Sequence, residues 1–325
     1  LAYVISQFFR NFLAVLSEQL YLDIGATSDD LAFAMGFWFL TFSLMQIPVG
    51  TALDKIGPKL TGSFIFLLGG AGGSIVFASA TTPLHITISM GLIGVGCSPV
   101  LMGSYYIFAR MYDPKIFASL AAIMIGVGSF GNLAGAAPLV FATDLFGWRS
   151  TMLALGLISA LISVGLFSFV ENPKISENIN KGSFIDLLKI KNLWFIFPLV
   201  LIHYAPVAGI RGLWIGPYIN DTFGRDGNLA FATTAMSLSM IAGTFAYGPM
   251  DRIFKTRKWI ILIGSSICMA SIISLALVEE ITFGISVSLF CVLGFFGMSY
   301  PLMIAHGRSF SPEHLTGRCV TLLNM

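Results

Sequence analysis

Apolar residues run through this chain in long blocks, not in the alternation of a half-buried strand or the narrow stripe of a surface helix. Ten blocks approach the roughly 20 residues that a helix needs to cross a bilayer. They lie near residues 1–20, 31–52, 61–80, 84–109, 117–143, 150–170, 192–217, 229–249, 259–277 and 281–305. The connections are short with one exception. Residues 171–191, ENPKISENINKGSFIDLLKIK, are polar and rich in Lys, Asn and Ser. They divide the chain into a six-helix bundle at 1–170, a linker at 171–191, and four helices plus the start of a fifth at 192–325. The pattern predicts an all-α polytopic membrane protein.

Composition supports that prediction. The chain is 56% hydrophobic and 10% charged, with a mean hydropathy of +0.86. A soluble domain carries about a quarter of its residues charged, so these charges are too few to cover a water-soluble surface of this size. Their placement carries more information than the net charge of +2. Loops 53–60, 110–116, 171–191, 250–258 and 306–318 hold 14 of the 18 Lys and Arg residues. The opposite loops hold Arg149 and Arg225 against eight acids, among them Asp23, Asp29 and Asp30. Basic loops stay in the cytoplasm, so the N-terminus is expected there, in a bacterial-type inner (plasma) membrane. The chain opens inside an apolar block without a secretory leader and reads as a fragment lacking its last helices. Cys97, Cys268, Cys291 and Cys319 show no metal-ligand spacing. No metal, cofactor or nucleic acid is expected, and a monomer in the lipid bilayer is.

The chain also repeats itself. Leu31-Ala32-Phe33-Ala34 returns as Leu229-Ala230-Phe231-Ala232, an offset of 198, and Gly50 returns at Gly248. Asp54 and Lys55 then correspond to Asp251 and Arg252 with one residue deleted. Two parallel six-helix halves are one known transporter plan. The stretch QIPVGTALDKIGPKLTG at 46–62 places Gly50, Asp54, Lys55, Gly57 and Lys59 in a short cytoplasmic turn. In physical terms, Gly50 is expected to let two helices approach closely, Gly57 to permit the tight turn, and Pro58 to fix the next φ. This turn resembles the signature of the major facilitator superfamily, with Pro58 where a basic residue is usual. The resemblance implies two six-helix bundles related by a pseudo-two-fold, the second incomplete here. It also implies a secondary transporter in which Asp54 latches the halves in one conformation, near Gly317–Arg318. The weaker copy is Gly248-Pro249-Met250-Asp251-Arg252.

In GVGSFGNLAGAAPL, Gly128, Gly131 and Gly135 share one helix face, and such a stripe favours close helix packing. It is loosely similar to the fifth-helix motif of drug–proton antiporters. The Gly-Pro pair of that motif is missing, and Met90 and Gly91 stand where their mid-helix arginine is expected.

Ionisable groups inside membrane spans face a cavity or a partner. Arg10 is expected about 15 Å deep from the outer end of helix 1, and His203 about 16 Å from the inner end of helix 7. Arg211 lies farther out on helix 7, which Pro198, Pro206 and Gly209 predispose to a kink or break. Two cavity arginines point to an anion held by charge-assisted, often bidentate hydrogen bonds. The substrate-binding candidates are Arg10, Arg211, His203 and Tyr105. Glu18 and His203 are the candidate carriers of coupling protons. Trp38, Trp148, Trp194 and Trp259 read as interfacial anchors or packing, while Trp214 and Tyr218 are placed to line the path. No HExxH, GxSxG or Walker sequence occurs, so neither an enzyme nor an ATP-driven pump is expected. The reading is a secondary transporter for a small solute, an organic anion or related metabolite, working by alternating access with possible proton coupling. The alternatives are drug or metabolite efflux, or a non-transporting sensor on the same fold.

Overall fold

The computed structural model describes residues 1–112, 114–173, 187–224, 227–278, 281–299, 302–303, 306–307, 310–311 and 322–323. The side chains of residues 54, 109, 114–119, 121–122, 201, 204, 248–249 and 251–252 also lie outside the description. The first half runs α1 (Ala2–Phe8), α2 (Leu13–Ile24), α3 (Ser28–Lys55), α4 (Pro58–Ile65), a π-helical turn (Phe66–Ala71) and α5 (Gly72–Ala78). It continues with α6 (Pro83–Met111), α7 (Pro114–Ala134), α8 (Ala137–Phe146) and α9 (Trp148–Phe169). The second half runs α10 (Lys191–Trp194), α11 (Phe197–Gly209), a π-helical turn (Ile210–Trp214), α12 (Ile215–Phe223), α13 (Leu229–Phe254), α14 (Lys258–Leu277) and α15 (Phe283–Phe296).

Among the described residues, seven helices are long and apolar enough to cross a membrane, and the pair Ile123–Ala134 and Ala137–Phe146, bent by 42°, makes an eighth. Besides that bent pair, which stands where one span was expected at 117–143, two of the ten expected spans differ in form. The last is a shorter apolar helix, Phe283–Ser299. The first, expected as one continuous helix, is α1 and α2 with a break at Phe9–Phe12. The cause is local. In an unbroken helix the Asn11 N–H would donate to the Gln7 carbonyl. Here the Asn11 side chain takes that carbonyl at 3.0 Å, while the Asn11 N–H donates to Phe8 O and the Arg10 N–H to Gln7 O. A side-chain amide has displaced a rung of the ladder.

Packing divides the chain into two compact units, Leu1–Ser176 with Gly212–Thr222, and Glu177–Arg211 with Phe223–Met325. The sequence assigns 212–222 to the second half, but these residues pack in the first unit. A methyl group on Gly216 would collide with the Ala14 carbonyl, and one on Gly212 would lie 2.7 Å from Arg10 O. The burial pattern is that of a lipid-embedded bundle. In α9 the buried positions are Trp148, Met152, Gly156, Ser159 and Ser163, whereas Leu157, Leu161 and Val164 are exposed. Small and polar groups face the neighbouring helices and large aliphatics face outward, as expected where lipid replaces water.

The repeat holds at residue level. Both copies open a side-chain-capped helix, at Thr27 for α3 and at Asn228 for α13, although the caps stand three residues out of the 198-residue register. In the repeated tetrapeptide, Phe33 and Phe231 are exposed, and Ala34 and Ala232 are fully buried. The α7 glycine stripe serves packing: methyl groups at Gly128 and Gly131 would collide with the Tyr3 ring and the Val4 carbonyl of α1.

Candidate functional site

The break in the first span sets the geometry of the first unit's polar centre. Arg10 sits in it, two residues beyond the end of α1 and three before the start of α2. Around it Phe9, Phe12, Leu13 and Leu16 are fully buried. The guanidinium carbon lies 5.4 Å from the Trp38 ring and 5.0 Å from the Phe42 ring. These two rings, one turn apart on α3, stack at 5.1 Å with an interplanar angle of 8°. Gly94 on α6 lets the α3 backbone come close, since a methyl group there would strike the Trp38 carbonyl. The cation therefore rests on an aromatic plate, an attraction that partly replaces lost hydration.

What the plate does not supply is an acceptor. Four buried side-chain polar atoms lack a hydrogen-bond partner among the described residues: Arg10 Nε, Trp38 Nε1, Thr61 Oγ1 and Ser159 Oγ. Two of the four belong to adjacent side chains, and both are donors. Next to Arg10, the Gln7 amide donates to Tyr3 Oη at 2.8 Å and Asn11 Nδ2 donates to Asn132 Oδ1 of α7. The Arg10 neighbourhood is thus polar, cationic and, among the described residues, without an ion pair. Trp38, read from sequence as an anchor or packing residue, is fully buried beside the cation. Only its place four residues before Phe42 on α3 could have pointed to it.

The other candidates are placed differently. Arg211 lies in the π-helical turn, as the prolines and Gly209 led one to expect of a broken helix 7. It is fully buried and donates from Nε to Ser237 Oγ at 2.9 Å in the second unit. His203 in α11 is buried, with Nδ1 3.1 Å from Ser265 Oγ and Nε2 2.8 Å from Ser299 Oγ. Glu18 is exposed on α2, where Asn220 Nδ2 donates to it at 3.4 Å. Tyr105 is half-buried on α6 with its ring 6.5 Å from Phe108. Trp148 Nε1 donates to Asp23, which also pairs with Arg149, tying together connections of the first unit. Trp194 and Trp259 are exposed.

The signature turn has a clear local cause. Gly57 adopts φ 97°, and a methyl group there would also lie 2.5 Å from Asn172 Oδ1. Asn172, just beyond α9, accepts from the Lys59 N–H at 3.0 Å at the start of α4, and Lys59 Nζ lies 4.9 Å from the Phe167 ring. Lys55 is the exposed last residue of α3. Asn172 was not singled out in the sequence; its one cue is the polar ENPK that follows an apolar block. Among the described residues a methyl group on Gly50 meets nothing within 4 Å, and its backbone is helical. The side chains of Asp54, Asp251 and Arg252 lie outside the described residues.

The sequence matches the family model described as Major Facilitator Superfamily over residues 1–325. Three relatives align with about half of the chain. An uncharacterised transporter, YybO, of Bacillus subtilis is 22% identical over 182 residues, which are 55% of this chain and 41% of the relative. A probable galactarate/D-glucarate transporter, GudP, of the same organism is 23% identical over 181 residues, 53% of this chain and 39% of the relative. A D-galactonate transporter of Escherichia coli O6:H1 is 22% identical over 174 residues, 53% of this chain and 40% of the relative. The chain thus matches well under half the length of these relatives. Among solved structures, a bacterial homologue of the human lysosomal transporter Spinster, inward-facing and unoccupied, superposes with a TM-score of 0.76 at 14% identity. That superposition covers 99% of this chain and 76% of the other, and it shows a shared fold.

Proposed function

The chain belongs to the Major Facilitator Superfamily, and on that premise we propose that it carries a small organic anion across the membrane by alternating access, with Arg10 holding the anion. It is an integral membrane protein of a transporter family; placement in an inner membrane with a cytoplasmic N-terminus is part of the proposal. The observation that carries the reading is the Arg10 Nε, buried and, among the described residues, without an acceptor. A cation at membrane depth costs about 2.5–3.5 kcal/mol on insertion scales unless compensated. The Trp38 and Phe42 faces offset part of this cost and leave the Nε–H without an acceptor among the described residues. An anionic substrate supplies both the charge and the acceptors, through charge-assisted bonds to a planar fork. Two relatives are by name transporters of galactarate, glucarate or galactonate, all of them anions at neutral pH.

In this reading Arg211 and His203 serve the second unit. The Arg211 Nε is bonded to Ser237 and both His203 nitrogens lie within reach of serine hydroxyls, which supports bracing and counts against ready release to a substrate. Asp54 in the signature turn is assigned to conformational bias, made in one state and broken in the other. The test is a thermal-shift screen of the purified protein against D-galactonate, D-glucarate, galactarate, nitrate and the neutral polyol galactitol. A bound ligand raises apparent stability by mass action. Stabilisation by at least one anion and none by galactitol is expected; equal stabilisation by the polyol, or by none of the anions, contradicts the proposal.

A further inference from the structure

Trp38 presents the second unpartnered donor of the first unit's centre. Its side chain is fully buried and its Nε1 has no acceptor among the described residues. An indole N–H in an apolar interior nearly always finds a partner, because leaving a buried donor unpaired is costly. Its ring lies 5.4 Å from the Arg10 guanidinium carbon, whose own Nε is also buried and unpaired. A cation over a ring face leaves the indole N–H, which lies in the ring plane, unused by that contact. Two unpaired donors on touching side chains are matched by an oxyanion with two acceptor atoms, each bonded at about 2.7–3.0 Å. The first turn of α2 adds to the same field. It begins three residues after Arg10 with no side-chain cap, and its N-terminal turn is the positive end of a helix dipole.

We infer that Trp38 is a substrate-binding residue: its indole N–H and the Arg10 side chain together hold one oxyanion group, of carboxylate or other trigonal planar shape, at the break between α1 and α2. This rests on the reading of Arg10 as the anion anchor. It assigns Trp38 two roles on two different edges of one ring system. The face supports the guanidinium, and the N–H donates to the anion.

The two roles separate experimentally. Trp38→Phe keeps an aromatic face and removes the N–H. Incorporating 3-benzothienylalanine in place of Trp38 keeps the bicyclic shape as well and exchanges only N–H for sulfur. Binding of D-galactonate, D-glucarate and nitrate, with galactitol as neutral control, is measured by titration calorimetry on the purified intact protein, alongside melting temperature without ligand. A hydrogen bond to a charged group is worth enough to weaken binding about ten-fold or more when lost. Both variants are expected to bind the preferred anion at least about ten-fold more weakly. The benzothienyl protein should melt no lower than wild type, since an unpaired donor has been removed. A purely packing role predicts unchanged affinity in the benzothienyl protein, and that result overturns the inference. If it occurs while Arg10→Gln loses the anion, only the role of Trp38 falls. If Arg10→Gln also binds as wild type, or no anion binds wild type, the anchor reading falls with it.

Discussion

At the scale of single residues, glycines that look equivalent in sequence do different work. Gly50 and Gly57 both belong to the signature turn, yet Gly57 has φ 97° and lies against Asn172, while Gly50 is helical and, among the described residues, would meet nothing within 4 Å on gaining a methyl group. An L-residue in the first conformation is strained, at about 1–3 kcal/mol, and here it would also displace the Asn172 side chain that caps α4. Gly57→Ala is therefore expected to lower the melting temperature of the purified protein. Gly50→Ala should leave it unchanged or raise it, because Ala in a helix is favoured over Gly by about 0.5–1 kcal/mol. Thermal unfolding of the two variants under one detergent condition checks this, and a larger loss for Gly50→Ala would contradict it. The turn glycine was legible from the Gly57-Pro58 pair. Its partner Asn172, 113 residues away from Lys59, was not, since no local pattern links them. Trp38 was hidden for the same reason: which of five tryptophans meets Arg10 depends on the register between a broken first span and α3.

At the scale of elements, spacing showed the packing of α7 but not the break in its partner. Three glycines on one face predict a close neighbour, and α1 fills that place. Nothing in an apolar run rich in Phe marks a stop, because the break is made by one amide, Asn11, bonding backward to Gln7 O and across to Asn132. In helix 7 the chemistry was visible. Pro206 removes a backbone donor, Gly209 ends α11, and the π-helical turn follows. The α1–α7 contact holds the segment leading to Arg10, so widening it should reach the site. Gly131→Leu forces α7 away from the Val4 carbonyl and is expected to cost about 1–3 kcal/mol as overpacking. It should also weaken anion binding, whereas Gly165→Ala on α9, which meets nothing within 4 Å, should do neither. Melting temperature and ligand affinity on the same samples decide it; a Gly131→Leu protein as stable as wild type would remove the packing role.

At the scale of the whole molecule, family membership was legible from hydropathy blocks, charge asymmetry and one turn, because bilayer thickness and the placement of basic loops constrain a sequence strongly. The proposed substrate class rests on one arginine inside a span, since a transporter's specificity resides in a few side chains whose meeting depends on tertiary register. The proposed orientation predicts that Asp29→Cys, exposed before the first turn of α3 is complete, reacts with an impermeant maleimide in intact cells. Thr256→Cys, between α13 and α14, should react only after the membrane is opened; the reverse pattern would invert the topology. The anion anchor itself is tested most directly by titrating the screened anion into wild type, Arg10→Lys and Arg10→Gln, with melting temperature recorded on each. Lysine keeps the charge but lacks the planar fork, so affinity is expected to fall about ten-fold, and glutamine should abolish preference for the anion over galactitol. A stable Arg10→Gln protein that binds the anion with wild-type affinity would contradict the account.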